Sequence, residues 1–133
     1  MCKLKILFVP LLASILIGIG LAQEEDMDWK GYNDNLLRFL RSNDDSLKIL
    51  AMQSIILHGD KVNVNQEVYT IYNIYRSHKN EKVRQLALVA LYKINNVWVL
   101  KNLIKDYYKE TNLVIRGQIA SILKENPVLY AVR

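Results

Sequence analysis

Cysteine is nearly absent: Cys2 is the only one in 133 residues, and it precedes an apolar run instead of closing one. Neither a disulfide framework nor a lipobox can be built, so the fold must be held by packing. Histidine is almost as scarce, with His58 and His78 alone. Neither stands at ligand spacing from other His, Asp or Glu residues, and there is no Gly-x-Ser-x-Gly or Ser/His/Asp arrangement to support nucleophilic catalysis. No metal, cofactor or catalytic residue is expected. Proline occurs only at Pro10 and Pro127, and the second halts the last helix because proline disfavours a helical residue before it.

The N-terminus has the make-up of an export signal. Lys3 and Lys5 form a basic start, Ile6 to Leu21 is almost wholly apolar, and Gly20-Leu21-Ala22 offers small residues for cleavage before Gln23. Residues 1–22 are therefore read as a signal peptide and the mature protein as secreted or periplasmic, with no stable membrane insertion once the signal is gone. An uncleaved N-terminal anchor is the alternative, since the run from Ile6 to Ala22 has 17 residues and a tilted span needs about that many.

Whole-chain charge is +5, from 18 bases and 13 acids. Loss of Lys3 and Lys5 leaves 16 bases and a net +3 on 111 residues, enough for one modest core. Residues 23–33 read as a flexible acidic leader, with Trp29 and Tyr32 tucking onto the first helix. A balance this mild bears on solubility and weak steering and does not specify nucleic acid.

What the chain does contain is a repeat. At residues 44–55, 80–91 and 112–123 a capping residue (Asp44, Asn80, Asn112) is followed three positions later by an aliphatic (Leu47, Val83, Ile115) and then by a base (Lys48, Arg84, Arg116). The next inward positions are Ala51, Ala87 and Ile119, then Ser54, Ala90 and Ile122, and Ile55, Leu91 and Leu123 close the pattern. Copies are 36 and 32 residues apart, a period typical of stacked helical hairpins. Each repeat helix pairs with a preceding one. The first of these is expected from Asp34 or Asn35, the second over 65–76 with Val68, Ile71, Tyr72 and Tyr75 on one face, and the third over 97–109 with Val97, Leu100, Ile104 and Tyr107 inward. Val128 to Arg133 is expected to add one further turn over the open end.

The string NEKVRQLALVAL at 80–91 resembles the second-helix signature of the short bacterial HEAT-like repeats, and DDSLKILAMQSI and NLVIRGQIASIL look like weaker copies. The resemblance implies an all-α fold, an α-solenoid of about three antiparallel helix hairpins over 34–133. It also implies a polar ladder between repeats, which carried across falls on Asp44, Asn80 and Asn112 with Lys48, Arg84 and Arg116. With Asn at two of the three acid positions, that ladder leans on neutral hydrogen bonds.

Other candidates have plainer explanations. Asp44-Asp45 reads as an N-cap followed by a first-turn acid. Lys101, Lys105 and Lys109 make a basic stripe, but Asp106 and Glu110 interrupt it, and a solvated face is the reading. Among Tyr69, Tyr72 and Tyr75, Tyr69 is rotated outward and is a candidate contact residue. The functional expectation is a non-catalytic module that binds a protein or peptide on the surface of the second helices, through Gln53, Gln85, Tyr92, Lys93 and Lys124. An accessory subunit of a lyase-type enzyme, or a structural cap that packs end to end in a larger assembly, are the alternatives.

Overall fold

A computed structural model describes residues 27–126. The expected signal peptide, the start of the expected acidic leader and the C-terminal turn expected at Val128 to Arg133 lie outside the described residues. Those residues are all-helical: α1 Trp29–Arg41, α2 Asp45–His58, a short 3-10 turn Asn65–Glu67, α3 Val68–Ser77, α4 Glu81–Ile94, α5 Val97–Lys109 and α6 Leu113–Lys124. None is long and apolar enough to cross a membrane.

Sequence chemistry sets each boundary. Asp44 Oδ1 accepts from Ser46 N at 2.8 Å, Asn80 Oδ1 from Lys82 N at 2.8 Å, and Asn112 Oδ1 from Val114 N at 3.0 Å, so the expected caps close free N–H groups at the starts of α2, α4 and α6. Asn95 ends α4 with φ 55°, the left-handed conformation that Asn tolerates better than most residues. Asn96 then caps α5 at once, accepting from Trp98 N at 2.9 Å.

The first helix starts earlier than the apolar pattern suggested. Asp28 accepts from Gly31 N at 3.0 Å, and α1 begins at Trp29 instead of Asp34. Packing pulls this turn into the helix. The Trp29 and Tyr32 rings lie 5.5 and 5.9 Å from the His58 ring, and Lys61 Nζ lies 4.9 Å from the centre of Trp29. Residues 29–33 therefore belong to α1 and not to a leader.

Helices pack in consecutive pairs, α1 with α2, α3 with α4, and α5 with α6, and the pairs join through α2 against α4 and α4 against α6. Close approach needs small side chains there. Ala51, Ala87 and Ala90 have no exposure, and Ile55, Leu91 and Ile119 fill the gaps between them. Met52 and Leu88 are also fully buried, one position beyond the small residues the repeat singled out.

On α3 the expected face holds, with Val68, Ile71, Tyr72 and Tyr75 all buried. On α5 it does not. Leu100 is buried and Tyr107 packs on the core, but Val97 and Ile104 are 57% and 37% exposed, while Val99 and Leu103 are fully buried. Val97 and Ile104 are the repeat equivalents of Asn65 and Tyr72. Those two residues reach forward to the next pair, Asn65 to Asn96 and Tyr72 to Asp106. No described helix follows α6, so the same face of α5 is left bare.

Candidate interaction surface

The caps at the starts of α2, α4 and α6 share a feature that residue type conceals. Two positions before each cap stands a side chain that accepts the cap's own backbone N–H: Ser42 Oγ from Asp44, His78 Nδ1 from Asn80, and Glu110 Oε1 from Asn112, each at 3.0 Å. His78 and Glu110 also reach back to the preceding pair. His78 Nε2 lies 3.1 Å from Asp45 Oδ2, and Arg84 Nη2 donates to Glu110 Oε2 at 2.7 Å. Asn112 Nδ2 donates to Glu81 Oε2 at 2.8 Å.

A polar ladder therefore runs between pairs, with a different membership from the one the repeat implied. Its acids are the first-turn residues Asp45 and Glu81 together with Glu110, while Asp44 and Asn80 spend their side chains on capping. Of the three bases, Arg84 joins it and also donates from Nε to Tyr75 O at 2.7 Å. Arg116 stacks 4.8 Å from the centre of Tyr107. Lys48 has no carboxylate at ion-pair distance among the described residues.

Since Asn80 N–H donates to His78 Nδ1, the ring hydrogen belongs on Nε2, where it donates to Asp45. Both nitrogens are engaged, which leaves no lone pair for proton abstraction. The buried tyrosines are equally committed as donors. Tyr72 and Tyr75 hydroxyls donate to Asp106 Oδ2 at 2.5 and 3.3 Å, and burial followed by the Asp106 charge pushes both phenols well above their ordinary range. Among the described residues, no group of His, Cys, Asp and Glu could hold a metal ion.

The expected contact residues divide. Gln53, Tyr92, Lys93 and Lys124 are exposed, whereas Gln85 is half-buried, with Nε2 donating to Glu81 and its backbone carbonyl accepting from Gln118 Nε2 at 2.9 Å. Tyr92 donates to Glu125 Oε2 at 2.5 Å, and that carboxylate raises the pKa of the phenol. The Lys93 stem lies against Gly59 at the end of α2. A shallow hollow of about 140 Å³ lies beside Val89, Tyr92 and Ser121. Tyr69 is 58% exposed and packs on Trp98 with ring centres 4.3 Å apart.

A larger groove of about 590 Å³ opens elsewhere, between the start of α2, the outer side of α3 and the turn before α4. Lys48 and Asp45 line one wall, Asn73 and Ser77 the other, Ile74 lies buried beneath, and His78, Lys79 and Asn80 close the end. Sequence reading missed it because α3 contributes its residues at positions that look merely solvated. The available signal was Lys48, a repeat-column base with no acid placed to meet it. No protein-family model, curated protein or solved structure matches this chain.

Proposed function

We propose that this chain is an exported α-solenoid of three HEAT-like helix pairs that works by binding, and that its target is an acidic peptide segment of another protein held in the groove between α2 and α3. The carrying observation is the groove's charge. Lys48 and Lys79 bring two ammonium groups to its wall without carboxylate partners among the described residues, against the single carboxylate of Asp45, which already accepts from His78. Asn73 adds amide donors and an acceptor for a peptide backbone, and Ile74 supplies an apolar floor. The start of α4 opens on the same end, where the helix dipole favours negative charge. Serial packing of α2, α4 and α6, with the cap column at one edge, supports the solenoid reading.

Fluorescence anisotropy with labelled Asp/Glu-rich, neutral and Lys-rich peptides of equal length tests this on the purified protein. The acidic peptide alone should bind, more weakly as salt rises, and Lys48→Glu with Lys79→Glu should weaken it at least tenfold while helicity is retained. Equal binding of the neutral peptide, or full binding by the double variant, overturns the groove. Loss on Tyr92→Ala with Lys93→Glu instead would move the site to the second-helix surface.

A further inference from the structure

The groove between α2 and α3 has a counterpart one helix pair further along. Lys48, Ile74, Ser77, His78 and Lys79 of the groove have Arg84, Asp106, Lys109, Glu110 and Thr111 at the equivalent positions of the next pair. Those five line a second hollow, of about 160 Å³, where the end of α3, the start of α4 and the end of α5 meet. The rest of the lining is not shared: Asp45, Thr70, Asn73 and Asn80 belong to the first hollow alone, and Tyr75 and Arg76 to the second. The last turn of α3 is thus the wall between the two, with Ile74 and Ser77 on one side and Tyr75 and Arg76 on the other.

The two hollows differ in where their acids come from. In the second the chain brings its own: Glu110 accepts from Arg84 at 2.7 Å, and Asp106 accepts from the hydroxyls of Tyr72 and Tyr75. In the first, His78 and Ile74 stand at the positions of Glu110 and Asp106, and Lys48 and Lys79 have no carboxylate at ion-pair distance among the described residues. Arg76 and Lys109, both exposed beside the second hollow, have none either. Lys48 and Lys79 against Asp45 leave one net positive charge in the first hollow, and Arg76, Arg84 and Lys109 against Asp106 and Glu110 leave one in the second. Each has the charge to take a single added carboxylate.

We infer that one acidic peptide serves both hollows, crossing the end of α3 with one carboxylate at Lys48 and Lys79 and a second at Arg76 and Lys109, an inference that rests on the reading of the α2–α3 groove as an acidic-peptide site. The spacing of the two acids follows from the packing. Because α2 packs directly on α4, equivalent points of the two hollows lie one interhelical distance apart, about 8–10 Å. A peptide in the polyproline II form advances about 9 Å in three residues and returns its side chains to the same face at that interval. A β-strand does not, since its residues three apart point to opposite faces. The ligand that fits is therefore an extended segment with Asp or Glu at i and i+3.

Fluorescence anisotropy on the purified protein tests it with labelled, otherwise neutral peptides of equal length that carry one Glu, or two Glu at i and i+1, i and i+3, or i and i+6. The i, i+3 peptide should bind about tenfold more tightly than the one-Glu peptide, and more tightly than either other pair, because a link that matches the span between two subsites gains most. In Arg76→Gln with Lys109→Gln, at unchanged circular dichroism, the i, i+3 peptide should fall to the level of the one-Glu peptide and the preference among spacings should vanish. The spacing series on the wild type needs no substitution, so it decides the matter even where the double change disturbs the fold. Equal affinity for the three two-Glu peptides, or an i, i+3 advantage that survives the double change, overturns the inference and leaves the groove reading standing. If no Glu peptide binds better than a neutral one, or if Lys48→Glu with Lys79→Glu weakens none of them, the groove reading fails and this inference with it.

Discussion

Arg84 and Glu110 meet at 2.7 Å with side chains only 17% and 13% exposed, and the second oxygen of Glu110 is held by the Asn112 N–H. One carboxylate thus ties the central pair to the last pair and fixes the start of α6. Removing the base leaves that carboxylate mostly buried and without its cation, whereas removing both leaves a smaller deficit. Arg84→Ala is expected to cost about 2–4 kcal/mol, and Arg84→Ala with Glu110→Ala less than the sum of the two single changes. Urea melts of the four proteins measure the coupling; strict additivity would mean that the pair contributes nothing.

Alkaline stability should report the buried phenols. Both Tyr72 and Tyr75 have pKa values raised above the ordinary 10.0 by burial first and Asp106 next. As pH passes that value the unfolded chain releases these protons and the folded chain keeps them, so their stabilisation is complete below it and is lost as pH rises beyond it. Tyr72→Phe should cost roughly 1 kcal/mol at neutral pH and make the alkaline decline shallower. Denaturant melts across the alkaline range, beside an ultraviolet titration of the eight tyrosines, check it; an unchanged slope in the variant would refute the assignment.

Two glycines should respond oppositely to alanine. Gly117 lies in α6 with nothing near its missing Cβ, so Gly117→Ala should stabilise by about 0.5–1 kcal/mol through reduced freedom of the unfolded chain. At Gly59 a Cβ would come within 2.6 Å of Lys93 Cγ and 2.8 Å of the Ile55 carbonyl oxygen, and Gly59→Ala should cost about 1–3 kcal/mol. Lys93→Ala in that background should recover part of the loss. Thermal melts in dilute solution decide the signs.

Much of this arrangement was legible in the chain. The Asp/Asn caps and the Ala51, Ala87 and Ile119 column located α2, α4 and α6 because both arise from backbone geometry, which residue type reports directly. The start of α1 was also written, in Trp29, Tyr32, Leu36 and Leu40 at helical spacing, but the acids and Gly31 among them masked the period. Val97 and Ile104 were misplaced for a different reason. Periodicity tells which residues share a face, and only the presence of a neighbouring pair decides whether that face is covered. The groove and the ladder were least legible. Ser42, His78 and Glu110 do one job with three chemistries, and no residue pattern marks such a column.

Trp29 and Trp98 are the only tryptophans, one against His58 in the first pair and the other between Tyr69 and Tyr72 at the junction of the second pair with the third. Among the described residues the first and last helix pairs have packed neighbours on one side only, so they are expected to open before the central pair. Each indole is therefore a native optical probe of one terminus. Emission from Trp98→Phe follows fraying at the α1–α2 side, and emission from Trp29→Phe follows fraying at the α5–α6 side. The order in which the two ends melt is readable from this chain without attaching a label.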